Sequence, residues 1–438
     1  MKILLVGAGA REHALAASLK SDPAVSQLHA APGNPGIGEL ATRHAVDPNN
    51  PEAIADLAAS LSVDLVVIGP EAPLVAGVSD AVQNRNIPVF GPSKAAAVLE
   101  GSKAFAKEIM AAANVPTGAS RVCRTVEEVA AALDEFGAPH VVKDDGLAAG
   151  KGVIVTSDRA EALAHAAECL RKPGAQIVVE EFLDGPEVSL FCITDGVTVI
   201  PLEPAQDFKR AFDNDAGPNT GGMGAYSPLP WAPADLAQQV VAQVAQPTVD
   251  EMRRRGTPFV GVVYCGLALT SKGPRVIEFN ARFGDPETQV VLARLRTPLA
   301  GVLHAAATGK LAEIPALEWH DKCAVNVVIA SEGYPATASG RREITGLDSV
   351  AAELAESVQV FHAATCDRGV DGIGEPRIVV DAGGTENSLP ALVCNGGRVL
   401  SVVGTGETIT AARDAAYSGV KLIGLDGSHH RSDIAAGV

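Results

Sequence analysis

The sequence predicts a multidomain protein of mixed α/β and α+β class. A doubly wound parallel sheet is expected at the N-terminus and a small α+β domain at the C-terminus. Two observations lead to this prediction. Apolar segments alternate with helical patterns over the first 90 residues, whereas short strand patterns and one helix (408–422) predominate from about residue 321. The chain of 438 residues is long enough for about two to four domains.

The N-terminal strands are predicted at 2–7, 27–31, 64–69 and 87–91, where near-continuous apolar segments end in Gly or Pro. Strands of this kind are buried on both faces of a parallel sheet. Ligands of such sheets bind at the carboxyl ends of the strands, where GAGAREH, APGNPG, GPEAP and GPS lie here. We therefore expect a binding site at this edge.

The first of these segments matches a dinucleotide fingerprint only in part. Gly7 and Gly9 occupy the first two glycine positions of GxGxxG, but Glu12 occupies the third. A side chain there should obstruct close packing of helix and sheet, and its carboxylate should repel a phosphate. A tight turn is the alternative interpretation, and a nicotinamide cofactor is rejected.

The middle of the chain alternates strand and helix patterns before a polar, glycine-rich segment. The segment 207–228 contains too many glycines and polar residues for a regular element, so it is predicted to be a functional loop. The predicted elements are a helix at 93–113, a strand–turn–strand at 140–156, a helix at 158–171, two strands joined at LDGP within 176–195, a helix at 232–254, strands at 259–270 and 274–280, and helices from 286.

Composition excludes several classes of function. Hydrophobic residues make up 47% and charged residues 20% of the chain, as in globular proteins, and the net charge is −17. That charge argues against nucleic-acid and membrane partners, so a phosphate-bearing substrate would need local cationic pockets. The seven cysteines form no CxxC pair, and no signal peptide or spanning segment is evident. We expect a cytoplasmic monomer with buried cysteines.

Lys143 and Lys151 are candidates for phosphate binding. Lys143 ends a predicted strand, and Lys151 lies in the glycine-rich turn AAGKG. Glycines allow backbone amides to approach phosphate oxygens, and an ammonium group offsets the phosphate charge. The Walker pattern is absent, because Gly146 and Lys151 do not frame it. A plain hairpin remains an equal alternative.

A second candidate group follows the next strand. VVEEFLDG supplies Glu180, Glu181 and Leu183, and Glu187 lies just beyond. Backbone groups at a strand edge can bind the polar rim of adenine, and a carboxylate can hold ribose hydroxyls. An acidic strand end that faces water is the alternative, and the same holds for Asp144 and Asp145.

The segment IEFNARFGDPE combines hard oxygen ligands with an arginine. Glu278 and Asn280 are two residues apart on a predicted strand and point to the same face. Mg²⁺ takes few protein ligands of this kind and completes its shell with phosphates and water. If the strand continues, Arg282 shares this face and can stabilise an anion beside the metal, as phosphoryl transfer requires. A surface ion-pair cluster is the alternative.

The order of these motifs resembles the glycinamide ribonucleotide synthetases (phosphoribosylamine–glycine ligases) of the ATP-grasp superfamily. The matching stretches run nearly end to end, and include GAGAREHALA, LEGSKAFAK, KDDGLAAGKGVIV, VEEFLDGPEVS, GPNTGGMGAYSP, VIEFNARFGDPETQ, NGGRVLSV and RSDI. The resemblance implies a doubly wound domain at 1–102, a two-part ATP-grasp clamp at 103–315 with a lid subdomain at about 118–188, and a C-terminal domain at 321–428.

The resemblance also implies roles for individual residues. Lys143, Arg282 and Asp285 would be catalytic, with Arg282 stabilising an acyl phosphate, and Glu278 and Asn280 would bind Mg²⁺ or Mn²⁺. ATP would be bound by Lys103, Lys143, the lid loop with Gly146, Gly150, Lys151 and Gly152, and by Glu180, Glu181, Leu183 and Glu187. The other substrates would be bound by Arg11, Glu12, Asn34 in the 32–36 loop, Asp213, Asn219, Thr220, Gly221, Gly222, Asp285, Pro286 and Glu287.

The implied reaction joins glycine to 5-phosphoribosylamine at the expense of ATP, with small molecules as the only partners. Two alternatives stay open: an ATP-grasp ligase for another carboxylate and amine, and a nucleotide-binding regulator without catalysis. Two features depart from the family pattern. Asp144 adds a carboxylate near the phosphate-binding lysines, where its side chain is expected to point away, and the strand VVYCGLAL at 262–269 offers no further carboxylate ligand.

Overall fold

A computed structural model of the chain describes residues 1–146, 152–337, 340–368 and 392–438. The N-terminal part is a five-stranded sheet of order β3-β2-β1-β4-β5 in which every pair is parallel. The predicted doubly wound sheet is confirmed, and only the two-residue β3 was missed. The strands are β1 Lys2–Gly7, β2 Gln27–Pro32, β3 Thr42–Arg43, β4 Leu65–Ile68 and β5 Val89–Phe90. The helices are α1 Ala10–Ser21, α2 Pro35–Gly38, α3 Pro51–Leu61, α4 Glu71–Ala76 and α5 Val78–Gln83.

The single helix predicted at 93–113 is wrong, because the chain breaks at Ser102. Helices α6 (Lys94–Gly101) and α7 (Lys103–Ala112) flank this residue, whose backbone is extended. The Ser102 hydroxyl accepts a hydrogen bond from the Phe105 N–H at 3.1 Å and so caps α7. The break places Lys103 at the first position of a new helix.

Two four-stranded sheets form the middle of the molecule, as a two-part clamp requires. The first has the order β6-β9-β7-β8, all pairs antiparallel, and encloses its own apolar core with α8 and α9. The second has the order β11-β10-β16-β17 and is also antiparallel. The LDGP segment leaves the first sheet after β9 and enters the second at β10. Their elements are β6 Ser120–Cys123, α8 Val126–Phe136, β7 His140–Asp144, β8 Val153–Thr156, α9 Arg159–Cys169, β9 Ile177–Glu180, β10 Glu187–Asp195, β11 Val199–Pro201, β16 Val260–Thr270 and β17 Gly273–Asn280.

The helix predicted at 232–254 contains a π turn. It runs as α10 (Leu236–Val240), the π turn Val241–Ala245 and α11 (Gln246–Arg254). Pro247 lies at the start of α11 and has no N–H to donate into the preceding turn, which accounts for the irregularity. Helices α12 (Glu287–Arg294) and α13 (Leu299–Ala307) follow the second sheet, and a short 3₁₀ turn spans Leu311–Glu313.

The expectation that 207–228 is irregular is wrong, because four short strands occur in this part of the chain. β12 and β15 join the C-terminal sheet, whereas β13 and β14 pair, within the described residues, only with each other. The C-terminal sheet has the order β12-β15-β18-β22-β19, so strands before and after the predicted boundary at 315–321 pair with one another. Strands of two to four residues containing glycine are too short to show a periodic pattern. The strands are β12 Gln206–Asp207, β13 Arg210–Phe212, β14 Ala216–Asn219, β15 Gly224–Ser227, β18 Cys323–Ala330, β19 Val358–His362, β20 Thr365–Asp367, β21 Leu392–Cys394 and β22 Arg398–Gly406, with helices α14 Leu347–Leu354 and α15 Ile409–Leu422.

The apolar core supports this arrangement. One continuous cluster joins aliphatic side chains of the N-terminal sheet, the second central sheet and the C-terminal sheet. Six of the seven cysteines are buried, and Cys323 is partly exposed. RIVV at 377–380, one of the short strand patterns that the sequence shows after about residue 321, lies outside the described residues. Among the residues that are described, no helix is both long and apolar enough to cross a bilayer.

Candidate active site

Two lysines and a glutamate form a buried group between the two central sheets. Nζ of Lys143 lies 3.2 Å from Oε1 of Glu180, and Nζ of Lys107 lies 3.1 Å from Oε2 of the same residue. Lys143 also donates a hydrogen bond to the Ile277 carbonyl at 2.9 Å. Lys143 and Glu180 were predicted, whereas Lys107 was missed. A lysine within a helical pattern cannot be distinguished in the sequence from one on a solvent-exposed helix face.

Lys103 lies beside this group at the start of α7. Its Nζ donates to the carbonyls of Asp144 and Gly146, both at 2.9 Å. Burial lowers the pKa of Lys103, while the nearby Glu278 carboxylate opposes the shift and Lys143 adds to it. Lys103, Lys143 and Glu278 therefore lie close together. Cations held by a buried site in this way can bind a phosphate chain.

The side chain of Asp144 points away from the lysines, as expected. Because side chains alternate along a strand, Asp144 faces the opposite side of β7 from Lys143, and its carboxylate contacts Nζ of Lys172 at 2.8 Å. Asp145 has a structural contact of its own. Its carboxylate accepts hydrogen bonds from the Ser102 hydroxyl at 3.0 Å and the Ala104 N–H at 3.1 Å. The end of β7 is thereby fixed to the start of α7.

The residues predicted to bind adenine and ribose lie at the end of β9, at the start of β10 and between these strands. The Glu181 N–H donates to the Ala119 carbonyl at 2.8 Å, and Leu183 is partly exposed. Glu187 forms an ion pair with Lys209, and this contact lowers the pKa of Glu187. Lys209 was not predicted. In the lid loop, Gly146 and Gly152 are described, whereas Gly150 and Lys151 lie outside the described residues.

Glu278 and Asn280 end β17 as predicted, and their donor set fits Mg²⁺. Gly266 pairs with Glu278 across the sheet, and a Cβ at Gly266 would lie only 3.1 Å from Cγ of Glu278. Gly266 lies in β16, so this strand leaves space for the Glu278 side chain and contributes no carboxylate of its own. Within the described ranges, no group of three or more Asp, Glu, His or Cys residues forms a metal site. Two hard oxygen donors leave the other positions of an octahedral ion to phosphate and water.

β17 ends at Asn280, so the strand does not continue to Arg282, which was the condition for placing Arg282 on the face of Glu278 and Asn280. Its guanidinium lies 3.2 Å from Glu71 and 3.1 Å from Glu100. Glu100 also accepts a hydrogen bond from the Ala281 N–H at 2.8 Å. Burial would raise the pKa of Glu71, but Arg282 and Arg11 hold it below its usual value. Nothing in the sequence marks Glu71 or Glu100 as partners, because the contact joins distant segments.

Asp285 and the 221–222 backbone are joined by Arg398, a residue of β22. Nη1 of Arg398 donates to the carbonyls of Gly221, Gly222 and Asp285, the last at 2.8 Å. Its Nη2 lies 3.4 Å from the Asp285 carboxylate, which helps to lower the pKa of Asp285 despite burial. Arg398 falls within the family-like stretch NGGRVLSV, but no local chemistry in the sequence indicated this role.

Glu287 is buried at the start of α12. Its Oε1 accepts hydrogen bonds from the hydroxyls of Ser189 at 2.8 Å and Tyr264 at 2.9 Å. The carbonyl of Pro286 accepts from the Asn326 side chain at 3.0 Å. Asp285, Pro286 and Glu287 are thus each fixed by a different element.

Glu12 fills the first glycine-rich turn. Its carboxylate accepts a hydrogen bond from the Gly9 N–H at 2.6 Å, and it occupies space that a side chain at Gly7 or Gly69 would need. The expectation that Glu12 obstructs the packing of helix and sheet is wrong, because these glycines make room for it. Arg11 donates to the Phe283 carbonyl at 3.0 Å and so connects the N-terminal sheet to the FGDPE segment.

A cleft of about 1910 Å³ separates the N-terminal sheet from the C-terminal strands. Its walls include Gly9, Asn34, Asp285, Tyr334 and Arg398. The amide group of Asn34 donates to the carbonyls of Ala8 and His362, each at 2.8 Å. The cleft is large enough for a sugar phosphate beside Asp285.

Asp213 and Asn219 are not brought into this cleft. The Asp213 carboxylate accepts hydrogen bonds from the N–H and hydroxyl of Ser432, in the C-terminal tail. Asn219 pairs with Arg210 in the β13–β14 hairpin. Thr220 lies closer to the site, where its hydroxyl accepts from the Gly222 N–H at 2.9 Å. The roles suggested for Asp213 and Asn219 stay predictions.

Three family models match most of the chain. They are described as the N domain, the ATP-grasp (A) domain and the C domain of phosphoribosylglycinamide synthetase. The matched residues are 1–100, 101–288 and 324–437, respectively. The match at 101–288 spans both central sheets, together with β12 and β15 of the C-terminal sheet.

Full-length relatives agree with these matches. The phosphoribosylamine–glycine ligase of Streptomyces coelicolor is 62% identical, with 100% of this chain and 99% of the relative covered. A crystal structure of the Thermotoga maritima phosphoribosylamine–glycine ligase matches with a TM-score of 0.81 and 29% identity over 99% of this chain and 100% of that chain. The biotin carboxylase domain of the Hydrogenobacter thermophilus 2-oxoglutarate carboxylase shares the fold alone, with a TM-score of 0.68 and 17% identity over 98% of this chain and 91% of that chain. The chain belongs to the phosphoribosylglycinamide synthetase (phosphoribosylamine–glycine ligase) family of ATP-grasp proteins.

Proposed function

We propose that this protein ligates glycine to 5-phosphoribosylamine, with ATP converted to ADP and phosphate and glycinamide ribonucleotide as the product. Family membership and the names of the full-length relatives support the reaction. The observation in the structure that supports it most is the meeting of Lys103, Lys143 and Glu278 between the two central sheets. A nucleoside triphosphate needs cations beside its phosphates, and its metal ion needs hard oxygen donors.

ATP binds between the two central sheets in this proposal. Lys103 and Lys143 neutralise phosphate oxygens, and the backbone at Gly146 and Gly152 contacts the triphosphate. The backbone near Leu183 and the side chain of Glu180 hold adenine, and Glu187 holds the ribose. Because Glu180 is already fixed by two lysines, its carboxylate needs little reorganisation when the nucleotide enters.

Glu278 and Asn280 hold a divalent cation of the Mg²⁺ or Mn²⁺ type. When bound, such an ion would supply positive charge that offsets the negative charge developing during phosphoryl transfer. The two-donor set leaves positions for those oxygens, and Gly266 leaves space for the Glu278 side chain.

The first chemical step forms glycyl phosphate. A carboxylate oxygen of glycine attacks the γ-phosphorus in line as the bond to the ADP oxygen breaks. Lys143 stabilises the transferring group, and Arg282 stabilises the acyl phosphate that results. Glu71 and Glu100 hold the Arg282 guanidinium in place, so it is oriented before the substrate binds.

The second step forms the amide bond. The amine of phosphoribosylamine attacks the acyl carbon of glycyl phosphate, phosphate leaves, and the nitrogen loses a proton. The wide cleft beside Asn34, Asp285 and Arg398 accommodates the phosphoribosyl group. Water must be kept from the acyl phosphate, which would otherwise hydrolyse.

The test is release of ADP in the presence of Mg²⁺, with phosphoribosylamine generated from ribose 5-phosphate and ammonia. We expect turnover only when both glycine and the amine are present. Turnover with another carboxylate in place of glycine would instead indicate a different ligase. Binding of ATP with no turnover would indicate a nucleotide-binding regulator.

A further inference from the structure

Arg431 is a buried arginine in the C-terminal tail, and its guanidinium joins that tail to the β13–β14 hairpin. The side chain is only 1% exposed. Nε and Nη2 each donate to a carboxylate oxygen of Asp433 at 2.7 Å, and Nη1 donates to Oδ1 of Asp215 at 2.8 Å. Asp215 lies in the turn between β13 and β14. Because bidentate and charge-assisted contacts fix the guanidinium plane, Arg431 has one position relative to the hairpin.

The same guanidinium contacts both neighbours of Lys209 in the chain. Its central carbon lies 5.0 Å from the centre of the Phe208 ring, and Nη1 donates a hydrogen bond to the Arg210 carbonyl at 3.2 Å. At the base of the hairpin, the N–H and the hydroxyl of Thr220 donate to the Lys209 carbonyl at 2.8 Å and 2.9 Å. Arg431 and Thr220 therefore hold the backbone that carries the Lys209 side chain.

Lys209 in turn holds Glu187. Nζ of Lys209 forms an ion pair with Oε2 of Glu187, and the Gln206 side chain donates to the Glu187 carbonyl at 3.1 Å. The Glu187 side chain is 48% exposed, so a ligand can reach it. An ion pair between partly exposed side chains does not by itself define one geometry, because both side chains are long and flexible. The orientation of Glu187 therefore depends on how firmly the backbone at Lys209 is held.

Further contacts fix the tail itself. The Ser432 N–H donates to Oδ1 of Asp213, in the hairpin turn, at 2.7 Å. Tyr417 lies on α15, where its hydroxyl donates to the Arg431 carbonyl at 2.7 Å and accepts from the Ile434 N–H at 3.2 Å. The apolar side of α15 belongs to the continuous core of the molecule. The core therefore fixes α15, and α15 fixes the tail that carries Arg431.

We propose that Arg431 is a positioning residue for the ribose of ATP. Through the backbone at Lys209 it holds the Glu187 carboxylate in the orientation that accepts hydrogen bonds from the ribose hydroxyls. This inference rests on the proposed function and deepens it, because it assigns the C-terminal tail a part in nucleotide binding. A hydrogen bond weakens steeply when its angle is poor, so a small displacement of Glu187 should affect the hydroxyl contact more than the rest of the nucleotide.

The experiment compares ATP with 2′-deoxy-ATP, which lacks one ribose hydroxyl. The Kd of each nucleotide is measured by calorimetry with Mg²⁺, in the absence of glycine and amine, for the wild type, Arg431→Met, Arg431→Lys and the control Arg342→Met. Arg342 pairs with Glu332 and donates to the Asp426 carbonyl instead. We expect the wild type to bind ATP about 10-fold more tightly than 2′-deoxy-ATP, since one hydrogen bond to a charged group is lost. Arg431→Met should lose most of this preference, Arg431→Lys part of it, and Arg342→Met none.

The ratio of the two Kd values separates a positioning role from a purely structural one. An unchanged ratio in Arg431→Met would mean that Arg431 only supports the fold, and would overturn the inference. A wild type that binds both nucleotides equally would also overturn it, because Glu187 would then not hold the ribose. A wild type that shows the preference but no ligation would contradict the proposed reaction and leave the inference standing. If Arg431→Met does not fold, Asp215→Asn replaces it, since the Asp215 side chain is 71% exposed, and a decrease in the same ratio is expected.

Discussion

The guanidinium of Arg282 lies 3.1 Å from the buried carboxylate of Glu100, a contact between the end of β17 and the helix that precedes the central sheets. A second carboxylate, from Glu71 in the N-terminal part, approaches the same guanidinium. Arg282 is thus held by two segments that are far apart in sequence. The arrangement fixes the position of the arginine that is proposed to stabilise glycyl phosphate.

Replacement of Arg282 by Ala should reduce turnover far more than nucleotide affinity. Loss of one donor that is oriented toward a developing charge reduces kcat by about 100- to 1000-fold. Steady-state kinetics and the Kd for ATP check this, with Arg296→Ala as a control because Arg296 and its partner Glu318 are exposed. Equal losses in kcat and in ATP affinity would mean that Arg282 only binds nucleotide.

Replacement of Glu278 by Gln should increase the concentration of Mg²⁺ that turnover requires. One of two hard donors loses its charge, so we expect a weakening of about 10-fold or more in apparent metal affinity. The measurement is a Mg²⁺ titration of ADP release at saturating ATP. The exposed Glu313 provides the matched variant Glu313→Gln. An unchanged Mg²⁺ dependence in Glu278→Gln would remove this residue from the metal site.

Gly222→Ala should weaken the binding of glycine more than the binding of ATP. Gly222 has φ of +107°, and an added Cβ would collide with Pro286 and Asp207. The matched variant is Gly256→Ala, because Gly256 also has positive φ (+80°) but nothing within 4 Å of an added Cβ. Both variants should lose about 1–3 kcal/mol of stability from backbone strain. Only Gly222→Ala should raise KM for glycine, and the same rise in both variants would contradict a local role.

Acid should destabilise the protein through His13. The His362 N–H donates to Nδ1 of His13 at 2.9 Å, so this nitrogen must stay unprotonated. Burial, with a smaller contribution from the nearby His362, lowers the pKa of His13 from 6.5 to about 3. Between these values the unfolded chain binds the proton and the folded chain does not. The contribution to stability is therefore complete above pH 6.5 and is lost as the pH falls toward 3.

Urea unfolding at a series of pH values measures this effect. The free energy of unfolding of the wild type should fall more steeply below pH 6.5 than that of His13→Gln, whose side chain does not titrate. The exposed His320 provides the control variant His320→Gln, which should follow the wild type. Parallel curves for the wild type and His13→Gln would contradict the assignment.

The sequence predicted most elements because their patterns are long and local. The strands of the N-terminal sheet and the ends of β7, β9 and β17 follow from continuous apolar segments that end at Gly, Pro or a charged residue. The sequence indicated Lys143, Glu180, Glu278 and Asn280 as candidates because they stand at or next to those strand ends. The short strands within 207–228 were missed, since two to four residues show no periodicity.

The unpredicted parts of the site depend on contacts between distant segments. Lys107, Glu71, Glu100 and Arg398 look like surface residues in their local sequence, and only the packing of three sheets brings them to the predicted residues. The sequence likewise showed no sign that Oδ1 of Asp207 is buried without a hydrogen-bond partner among the described residues. A sequence pattern can indicate a donor or a charge, but not which partner it lacks.

Transfer of oxygen from glycine to phosphate tests the central claim most directly. The protein is supplied with glycine labelled with ¹⁸O in its carboxylate, together with ATP, Mg²⁺ and phosphoribosylamine formed in situ, and the released phosphate is analysed by mass spectrometry. Ligation through glycyl phosphate predicts one ¹⁸O atom in the phosphate for each glycinamide ribonucleotide formed. Formation of the same product with unlabelled phosphate would contradict the mechanism.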